Sequence, residues 1–292
     1  MIGAKTRGGY VPGRLTVHRT PSALSPVTRA LRAAGRKVAL VPTMGALHEG
    51  HRELIRHARR APGASVTAVS IFVNPLQFAA GEDLELYPRP LDDDLDACRE
   101  EGVDLAFTPD VEDMYPAGAH TTVQPGPLGA ELEGAVRPGH FAGVLTVVAK
   151  LFHVVTPDVA FFGEKDYQQL VLIKAMVRDL DFPTAVVGVP TVREPDGLAL
   201  SSRNAYLSAG ERAGAPTLHR ALRAGAAVSA RGPQAVLDAA HEVLDGEPAL
   251  RVEYLELRDP ELGHAPAHGT ARLLVAARIG ATRLIDNVPV QL

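Results

Sequence analysis

Three short segments of the chain combine residue types that bind phosphate groups. The first, PTMGALHEGH at residues 42–51, spans a predicted strand end and helix start, with His48 and His51 three residues apart. Unpaired N–H groups at a helix start attract phosphate, and Gly45 and Gly50, which lack Cβ, are expected to let a nucleotide approach the main chain. A turn with two incidental histidines explains the spacing equally well. A zinc helix is disfavoured because it requires histidines four residues apart.

The second segment, residues 162–169, again follows a predicted strand and contains Lys165. A lysine ammonium can reach a phosphate as a point charge. Only five of the 30 Lys and Arg residues are lysines. Because arginine is the usual cation of this chain, a lysine in such a segment favours function. The alternative is an exposed lysine paired with Glu164 or Asp166.

The third segment, residues 200–204, contains two hydroxyls and a guanidinium in Ser201, Ser202 and Arg203. These groups suit phosphate oxygens, although a capping or turn role explains the segment better when it is taken alone. No Gly-x-Ser-x-Gly surrounds either serine, which disfavours a serine hydrolase. The chain has neither a Walker-type phosphate loop nor a Gly-x-Gly-x-x-Gly fingerprint.

Neutral and acidic side chains accompany these segments. Gln77 and Gln169 both fall near the expected ligand edge, and an amide that donates and accepts suits a hydroxy-acid substrate; ordinary surface glutamines are the alternative. The acidic run of residues 92–96 begins a predicted helix, where the helix dipole alone explains it, and a magnesium role is less favoured. Cys98 follows on that helix and is interpreted as structural.

The elements that must position these segments alternate between strand and helix. Apolar runs at residues 37–42, 65–73 and 159–162 predict strands, each followed by a helical pattern. A further helix is predicted at about residues 141–155, and the Gly- and Pro-rich residues 121–138 predict a long loop. This alternation indicates an α/β domain, a parallel sheet with helices on both faces. Ligands of such sheets bind beyond the carboxyl ends of the strands, so the loops after these three runs are expected on one edge.

The pattern changes near residue 190, where helices at 208–230 and 233–244 precede strands at 251–257, 272–277 and 282–288. Helices grouped before strands indicate a smaller α+β C-terminal domain. We therefore predict domains at residues 1–189 and 190–292, with residues 1–14 flexible.

Composition excludes several classes of function. The chain has 292 residues, 46% of them hydrophobic, and a net charge of −4 without a basic block, so nucleic acid is not an expected partner. No apolar run approaches the roughly 18 residues of a membrane span. The single cysteine excludes an internal disulfide and fits a reducing cytoplasm.

Six ordered segments carry a resemblance to a known family: PTMGALHEGH (42–51), NPLQF (74–78), GEDLELYPR (81–89), RPGHFAGV (137–144), FFGEKDYQQL (161–170) and PTVREPDGLALSSRNAYL (190–207). From about residue 38 to the C-terminus the chain resembles the pantoate–β-alanine ligase (pantothenate synthetase) family, within the nucleotidyltransferase group with a His-x-Gly-His signature. The resemblance implies a Rossmann-like N-terminal domain that binds nucleotide and pantoate, a smaller C-terminal lid domain, and a homodimer.

The resemblance also implies a set of site residues. Catalytic roles fall to His51 as proton donor and to His48, Lys165 and Arg203. The substrate pantoate is assigned to Gln77 and Gln169. The residues assigned to ATP are Met44, Gly45, Ala46, Leu47, His48, Glu49, Gly50, His51, Gly163, Glu164, Lys165, Asp166, Val192, Leu200, Ser201, Ser202 and Arg203. Leu200 stands where the family usually has Met; an apolar contact should survive this change, but a role for the sulfur should not.

The implied reaction is the ATP-dependent condensation of pantoate with β-alanine through a pantoyl-adenylate, releasing AMP and pyrophosphate. Mg²⁺ is expected to bind chiefly through the triphosphate, and no protein ligand of the metal is assigned. Two other classes stay open: a nucleotidyltransferase that acts on a phosphorylated substrate, and a non-catalytic nucleotide-binding module.

Overall fold

The structure, a computed structural model, describes residues 10–79, 82, 84–116, 118 and 120–292. Residues 1–9 of the stretch that we expected to be flexible, and residues 81 and 83 of the GEDLELYPR segment, lie outside the described residues. In the remainder of the N-terminal stretch, Val11 and Arg14 form an isolated β-bridge. The Tyr10 hydroxyl accepts a hydrogen bond from the Arg36 guanidinium at 3.3 Å.

The chain divides into two compact units. The first comprises the described residues up to Phe162 together with Leu172–Val189, and the second comprises Gly163–Val171 and Pro190–Leu292. The second unit thus takes up the chain again at Pro190, the predicted domain boundary. It also includes Gly163–Val171, which the sequence pattern placed in the first domain; side chains of the C-terminal sheet hold this segment, as described below.

A six-stranded sheet forms the centre of the first unit. Its strands are β1 (Thr16–His18), β2 (Lys37–Thr43), β3 (Ala64–Ile71), β4 (Leu105–Phe107), β5 (Val159–Gly163) and β6 (Ala185–Val189). They lie in the order β1-β4-β3-β2-β5-β6 and form a parallel sheet. After β2, the chain adds β3 and β4 on one side of this strand. It then returns and adds β5 on the other side. The carboxyl end of β2 is therefore a topological switch point, the usual ligand site of such sheets.

Helices flank this sheet, as predicted, and they cover strands that are apolar on both faces. The helices are α1 (Pro21–Ala33), α2 (Glu49–Arg60), α3 (Leu91–Glu100), α4 (Val111–Met114), α5 (Glu133–Val136), α6 (His140–Val155) and α7 (Tyr167–Asp179), the last beginning in the second unit. Helix α6 is apolar on most of its surface and correspondingly buried. Among the described residues, no helix is long and apolar enough to cross a membrane.

Three elements of the first unit, α1, β1 and α4, were not predicted, and one predicted loop contains helical turns. Helix α1 was missed because it contains Pro26, a residue that usually ends a helix. The helix begins at Pro21, and the Thr20 hydroxyl caps it by accepting from the Ala23 N–H at 3.2 Å. Strand β1 is only three residues long. The stretch 121–138, predicted as a long loop, contains a 3₁₀ turn and helix α5.

The second unit has helices followed by an antiparallel sheet, which confirms the predicted α+β class. Its elements are α8 (Ala209–Gly214), α9 (Thr217–Ala227), α10 (Pro233–Asp245), β7 (Leu250–Arg258), β8 (Thr270–Ile279) and β9 (Thr282–Gln291), with strand order β7-β8-β9. The helix predicted at residues 208–230 is divided at Pro216, which cannot continue the hydrogen-bond ladder. Leu218, Leu222 and Leu273 are among the fully buried side chains of this core.

Candidate active site

The two histidines of the first segment form the N-terminal cap of helix α2. His48 is the N-cap residue, and its Nδ1 accepts from the Gly50 N–H at 3.1 Å. The Nδ1 of His51 accepts from the His48 N–H at 3.3 Å, and the two ring centroids are 4.1 Å apart. Since an amide N–H only donates, each neutral ring carries its hydrogen on Nε2. The two imidazoles therefore accept hydrogen bonds from two of the helix-start N–H groups that we expected to bind phosphate.

A buried carboxylate holds the loop that precedes these histidines. Asp94 is 2% exposed, and its two oxygens accept from the Ala46 N–H at 3.0 Å and the Leu47 N–H at 2.7 Å. Gly45 has φ +86°, and a Cβ there would lie 2.8 Å from the Asp94 carboxylate. Glycine is therefore required here by the protein's own carboxylate, and the approach of a nucleotide to this main chain stays a prediction. Burial raises the pKa of Asp94, although the two amide bonds oppose that shift.

The interpretation of residues 92–96 through the helix dipole alone is wrong for Asp94. On helix α3, Asp94 shares a buried face with Leu95 and Cys98, whereas Asp92 is exposed. A signal for this was present in the sequence, because Leu91, Asp94, Leu95 and Cys98 follow the i, i+3, i+4, i+7 spacing of a buried helix face. The interpretation of Cys98 as structural agrees with its complete burial, which raises the pKa of its thiol to about 12.

Gln77 lies at the centre of a buried polar cluster. Its Nε2 donates to the Met44 sulfur at 3.0 Å, and its Oε1 accepts from the Asn74 amide at 3.1 Å. Asn74 in turn donates to the Gly143 carbonyl at 3.1 Å and accepts from the Tyr115 hydroxyl at 2.9 Å. The cluster therefore joins the PTMGALHEGH, NPLQF and RPGHFAGV segments. Sequence reasoning assigned no role to Asn74 or Tyr115; the position of Asn74 directly after a strand was the available signal.

The main chain of Gln77 is held by a second group of side chains. His140 Nδ1 donates to the Gln77 carbonyl at 2.8 Å, and its Nε2 lies 3.1 Å from the Arg137 guanidinium. Burial, reinforced by the Arg137 charge, lowers the pKa of His140 to about 4, so the ring is neutral near pH 7. Arg137 also forms a two-bond pair with Glu82 at 2.6 and 2.9 Å. Burial would raise the pKa of Glu82, but bonding to Arg137 brings it below its usual range.

Lys165 lies in the second unit, in a 3₁₀ turn at Glu164–Asp166 that leads into α7. Its Nζ is 3.9 Å from the Asp166 carboxylate, which is the outer limit of an ion pair. Glu164 instead pairs with Arg272 at 3.0 Å. Of the alternative pairing with Glu164 or Asp166, the Asp166 contact is therefore present and the Glu164 contact is not. Gln169 is half-buried on helix α7.

The Ser201–Arg203 segment begins a second 3₁₀ turn of this unit. The Ser201 hydroxyl accepts from the Arg203 N–H at 3.3 Å, so the capping role considered for this serine is present. Ser202 and Arg203 are half-buried. The Leu200 N–H donates to the Val192 carbonyl at 3.0 Å, which places these two predicted nucleotide contacts side by side.

The predicted site residues thus form two groups, one in each unit. The first unit contains Met44, Gly45, Ala46, Leu47, His48, Glu49, Gly50, His51 and Gln77. The second contains Gly163, Glu164, Lys165, Asp166, Gln169, Val192, Leu200, Ser201, Ser202 and Arg203. In the first group, the bond from Gln77 to Met44 joins two segments 33 residues apart in the sequence.

Comparison with known proteins identifies the family of this chain. The family model described as Pantoate-beta-alanine ligase matches residues 16–289 of the chain. The chain belongs to the pantoate–β-alanine ligase family. It is accordingly a ligase that forms pantothenate from pantoate and β-alanine. This result decides among the three classes that the sequence pattern left open.

Individual members of the ligase family agree with this assignment. The pantothenate synthetase of Mycobacterium sp. (strain KMS) is 65% identical over 283 residues, which cover 97% of this chain and 90% of that protein. The crystal structure of the Thermus thermophilus pantothenate synthetase has a TM-score of 0.85 at 50% identity, covering 93% of this chain and 98% of that one. The Francisella tularensis ligase, complexed with "Beta-gamma ATP" and β-alanine, has a TM-score of 0.79 at 34% identity and covers 94% and 97%.

Proposed function

We propose that this ligase uses ATP to form pantothenate in two steps. A carboxylate oxygen of pantoate attacks the α-phosphorus of ATP, the bond to pyrophosphate breaks, and a pantoyl-adenylate results. The amine of β-alanine then attacks the acyl carbon, AMP leaves with the electrons of the acyl–oxygen bond, and the new amide loses a proton. Two steps are needed because a carboxylate is a poor electrophile, whereas an acyl phosphate anhydride has a good leaving group.

The histidine cap of α2 is the observation that carries the proposal. Because both Nδ1 atoms accept main-chain hydrogen bonds, the neutral rings of His48 and His51 carry their hydrogens on Nε2. We assign these two donors to phosphate oxygens at the switch point of the sheet. Donors fixed in advance stabilise the charge that develops on transferring phosphoryl groups. His51 is assigned the transfer of a proton to the leaving pyrophosphate. The loop of residues 44–47, held by Asp94, lies against the nucleotide.

The second unit supplies the cations for the phosphates. Lys165, Ser202 and Arg203 are assigned to the triphosphate, since ammonium, hydroxyl and guanidinium groups all suit phosphate oxygens. Glu164 and Ser201 contribute through their main chains, because a salt bridge and a helix cap already use their side chains. Gly163, Asp166, Val192 and Leu200 complete the nucleotide contacts, and residues 190–292 are assigned the lid that shields the anhydride from water.

Pantoate is assigned to Gln77 and Gln169. The amide of Gln77 is oriented by its contacts, because Nε2 donates to Met44 and Oε1 accepts from Asn74. An amide nitrogen has two hydrogens, so the second is available to a hydroxyl or carboxylate oxygen of the acid. The main-chain bond from His140 fixes the other end of this residue. Gln77 is thus held rigidly at both ends, as a specificity residue requires.

Mg²⁺ is the expected metal, and the fit of the protein to it can be examined. Within the described ranges there is no cluster of three His, Cys, Asp or Glu side chains that could hold an ion. A hard cation bound mainly through triphosphate oxygens and water fits this arrangement, and when bound it neutralises phosphate charge. We further propose a homodimer, from the family resemblance, and a cytoplasmic location, which the single buried cysteine favours.

Exchange of labelled pyrophosphate into ATP tests the proposal directly. We expect exchange that requires pantoate and does not require β-alanine. Exchange driven by a phosphorylated acid instead of pantoate would indicate a different activated group, and ATP binding without any exchange would rule out an adenylate. Light scattering of the purified protein tests the dimer.

A further inference from the structure

The segment that carries Lys165 is fastened by a single asparagine of the C-terminal sheet. Asn287, on strand β9, is 3% exposed. Its Nδ2 donates to the carbonyl oxygens of Glu164 and Lys165, each at 2.9 Å. Both hydrogens of the amide are therefore used on consecutive peptide units of the segment, which limits where the Lys165 main chain can lie.

A buried arginine fixes the orientation of this amide. The Oδ1 of Asn287 accepts from Arg272 Nε at 2.6 Å, and a guanidinium only donates, so the amide has one possible orientation. Arg272 is 7% exposed, donates to the Glu164 carboxylate at 3.0 Å, and lies 4.0 Å from the centre of the Tyr167 ring. Its charge is thus paired and stacked against the same segment. All these contacts lie within the second unit.

The preceding residue of β9 holds the other phosphate-binding segment. Asp286 is 3% exposed and accepts from both terminal nitrogens of Arg193, at 2.6 and 2.8 Å. Arg193 also donates to the Gly197 carbonyl at 3.1 Å and forms a β-bridge with Ala199. This tie fixes the turn that leads directly into Ser201–Arg203. Adjacent residues on one strand therefore hold both segments of the second unit to which we assign phosphate binding.

We propose that Asp286 and Asn287 are positioning residues of the adenylation site, which fix the main chain at Lys165 and before Ser201 relative to each other. The inference rests on the proposed function, because it gives these segments their task. Neither residue touches substrate; each acts through the residues that do. Displacement of a catalytic side chain by about 1 Å can lower the rate of the reaction about a hundredfold. A dipeptide that aligns two catalytic segments therefore affects the rate without contacting the substrate.

Asn287→Asp is the sharpest test, since aspartate keeps the shape and the acceptor for Arg272 but lacks the two donated bonds. We expect kcat/KM for ATP in pantoate-dependent exchange to fall about ten- to hundredfold. The neutral Asn287→Ala variant should behave in the same way, which separates the lost bonds from an added charge. Arg283→Gln is the matched control, because Arg283 is also on β9 but pairs with Glu253 at 2.6 Å. It should retain wild-type kinetics.

A double-mutant cycle separates positioning from general stability. If Asn287 acts through Lys165, Asn287→Asp should cost less than about threefold in a Lys165→Ala background. An equal loss in both backgrounds, or no loss in wild type, would overturn the proposal. Hydrogen exchange of residues 163–171 gives a readout that does not depend on activity. Hydrogen exchange of this segment should be faster in both Asn287 variants and unchanged in Arg283→Gln. Unchanged hydrogen exchange in the Asn287 variants would also refute the positioning role. If the wild-type protein showed no pantoate-dependent exchange of pyrophosphate, the proposed function itself would be wrong.

Discussion

At the scale of single residues, the imidazole of His51 combines two tasks that can be separated by mutation. Its Nδ1 caps α2, and its Nε2 is assigned to the phosphates. His51→Ala should lower the rate of adenylation at least about a hundredfold, the scale of one lost electrostatic donor, and should also destabilise the helix start by about 1 kcal/mol. Stopped-flow release of pyrophosphate measures the first effect and thermal unfolding the second.

His51→Asn provides the comparison, because a short amide can still accept the His48 N–H. We expect it to recover most of the lost stability and little of the activity. Wild-type adenylation in the asparagine variant would remove the imidazole from the mechanism and leave His51 only as a cap.

The buried ring of His140 makes a prediction about pH. An unfolded histidine gains a proton below its ordinary pKa of 6.5, whereas folded His140 stays neutral down to about 4. Between these values the unfolded state holds more protons, so the stability contributed by the neutral ring falls as the pH falls. We expect this group to account for about 1–2 kcal/mol of stability lost between pH 7 and pH 5.

His140→Asn isolates this contribution, since His18 and His219 also have lowered pKa values and are unchanged in the variant. Urea unfolding of both proteins at pH 7 and pH 5 gives the difference. The variant should lose less stability than the wild type over this range, and equal losses would show that His140 titrates normally in the folded protein.

At the scale of elements, the loop between β2 and α2 depends on a helix that is remote in sequence. Asp94→Ala leaves two partly buried N–H groups without an acceptor, so we expect it to lower the free energy of unfolding by about 1–3 kcal/mol. Activity should fall as well, because the same loop leads into His48. Asp92→Ala, on the same turn of α3 but exposed, should change neither by a comparable amount. If both variants behaved alike, the helix dipole would be the better explanation of the acidic run.

Sequence periodicity predicted the elements that carry the site because those elements are regular. Strand β2 and helix α6 are continuous, largely apolar runs, and their lengths of seven and 16 residues distinguish strand from helix. Helix α1 contains a proline and strand β1 is only three residues long, so neither produces a clear pattern. Their existence is settled by packing against the sheet, which no local pattern reports.

In the candidate site, too, local sequence pattern identified some residues and missed those that contact distant segments. His48, His51 and Lys165 were identified because their segments adjoin predicted strands. Asn287 and Arg272 were not, since their task is to hold a segment more than a hundred residues away. Side chains that act on a distant main chain have no spacing that identifies them in one sequence, and only the folded structure brings the two together.

At the scale of the whole molecule, the second unit is not a continuous piece of chain. A fragment of residues 190–292 would leave the buried Arg272 without Glu164 and Tyr167, and an unpaired buried cation is costly. We expect this fragment to unfold at a temperature at least about 5 °C below that of the same fragment preceded by residues 163–171 on a Gly-Ser linker. Circular dichroism measures both, and equal midpoints would show that the segment contributes nothing to the unit.

The position of Asn287 also has a meaning for the order in which the chain is made. Domains fold progressively as the chain leaves the ribosome, and the central strands of the first unit are complete once β5 has emerged. Lys165 follows directly, yet the side chain that holds its main chain is made 122 residues later, on β9. A nascent or prematurely terminated chain can therefore assemble the histidine cap but cannot fix Lys165. We therefore expect the chain to become active only after β9 has been made and has paired with β8.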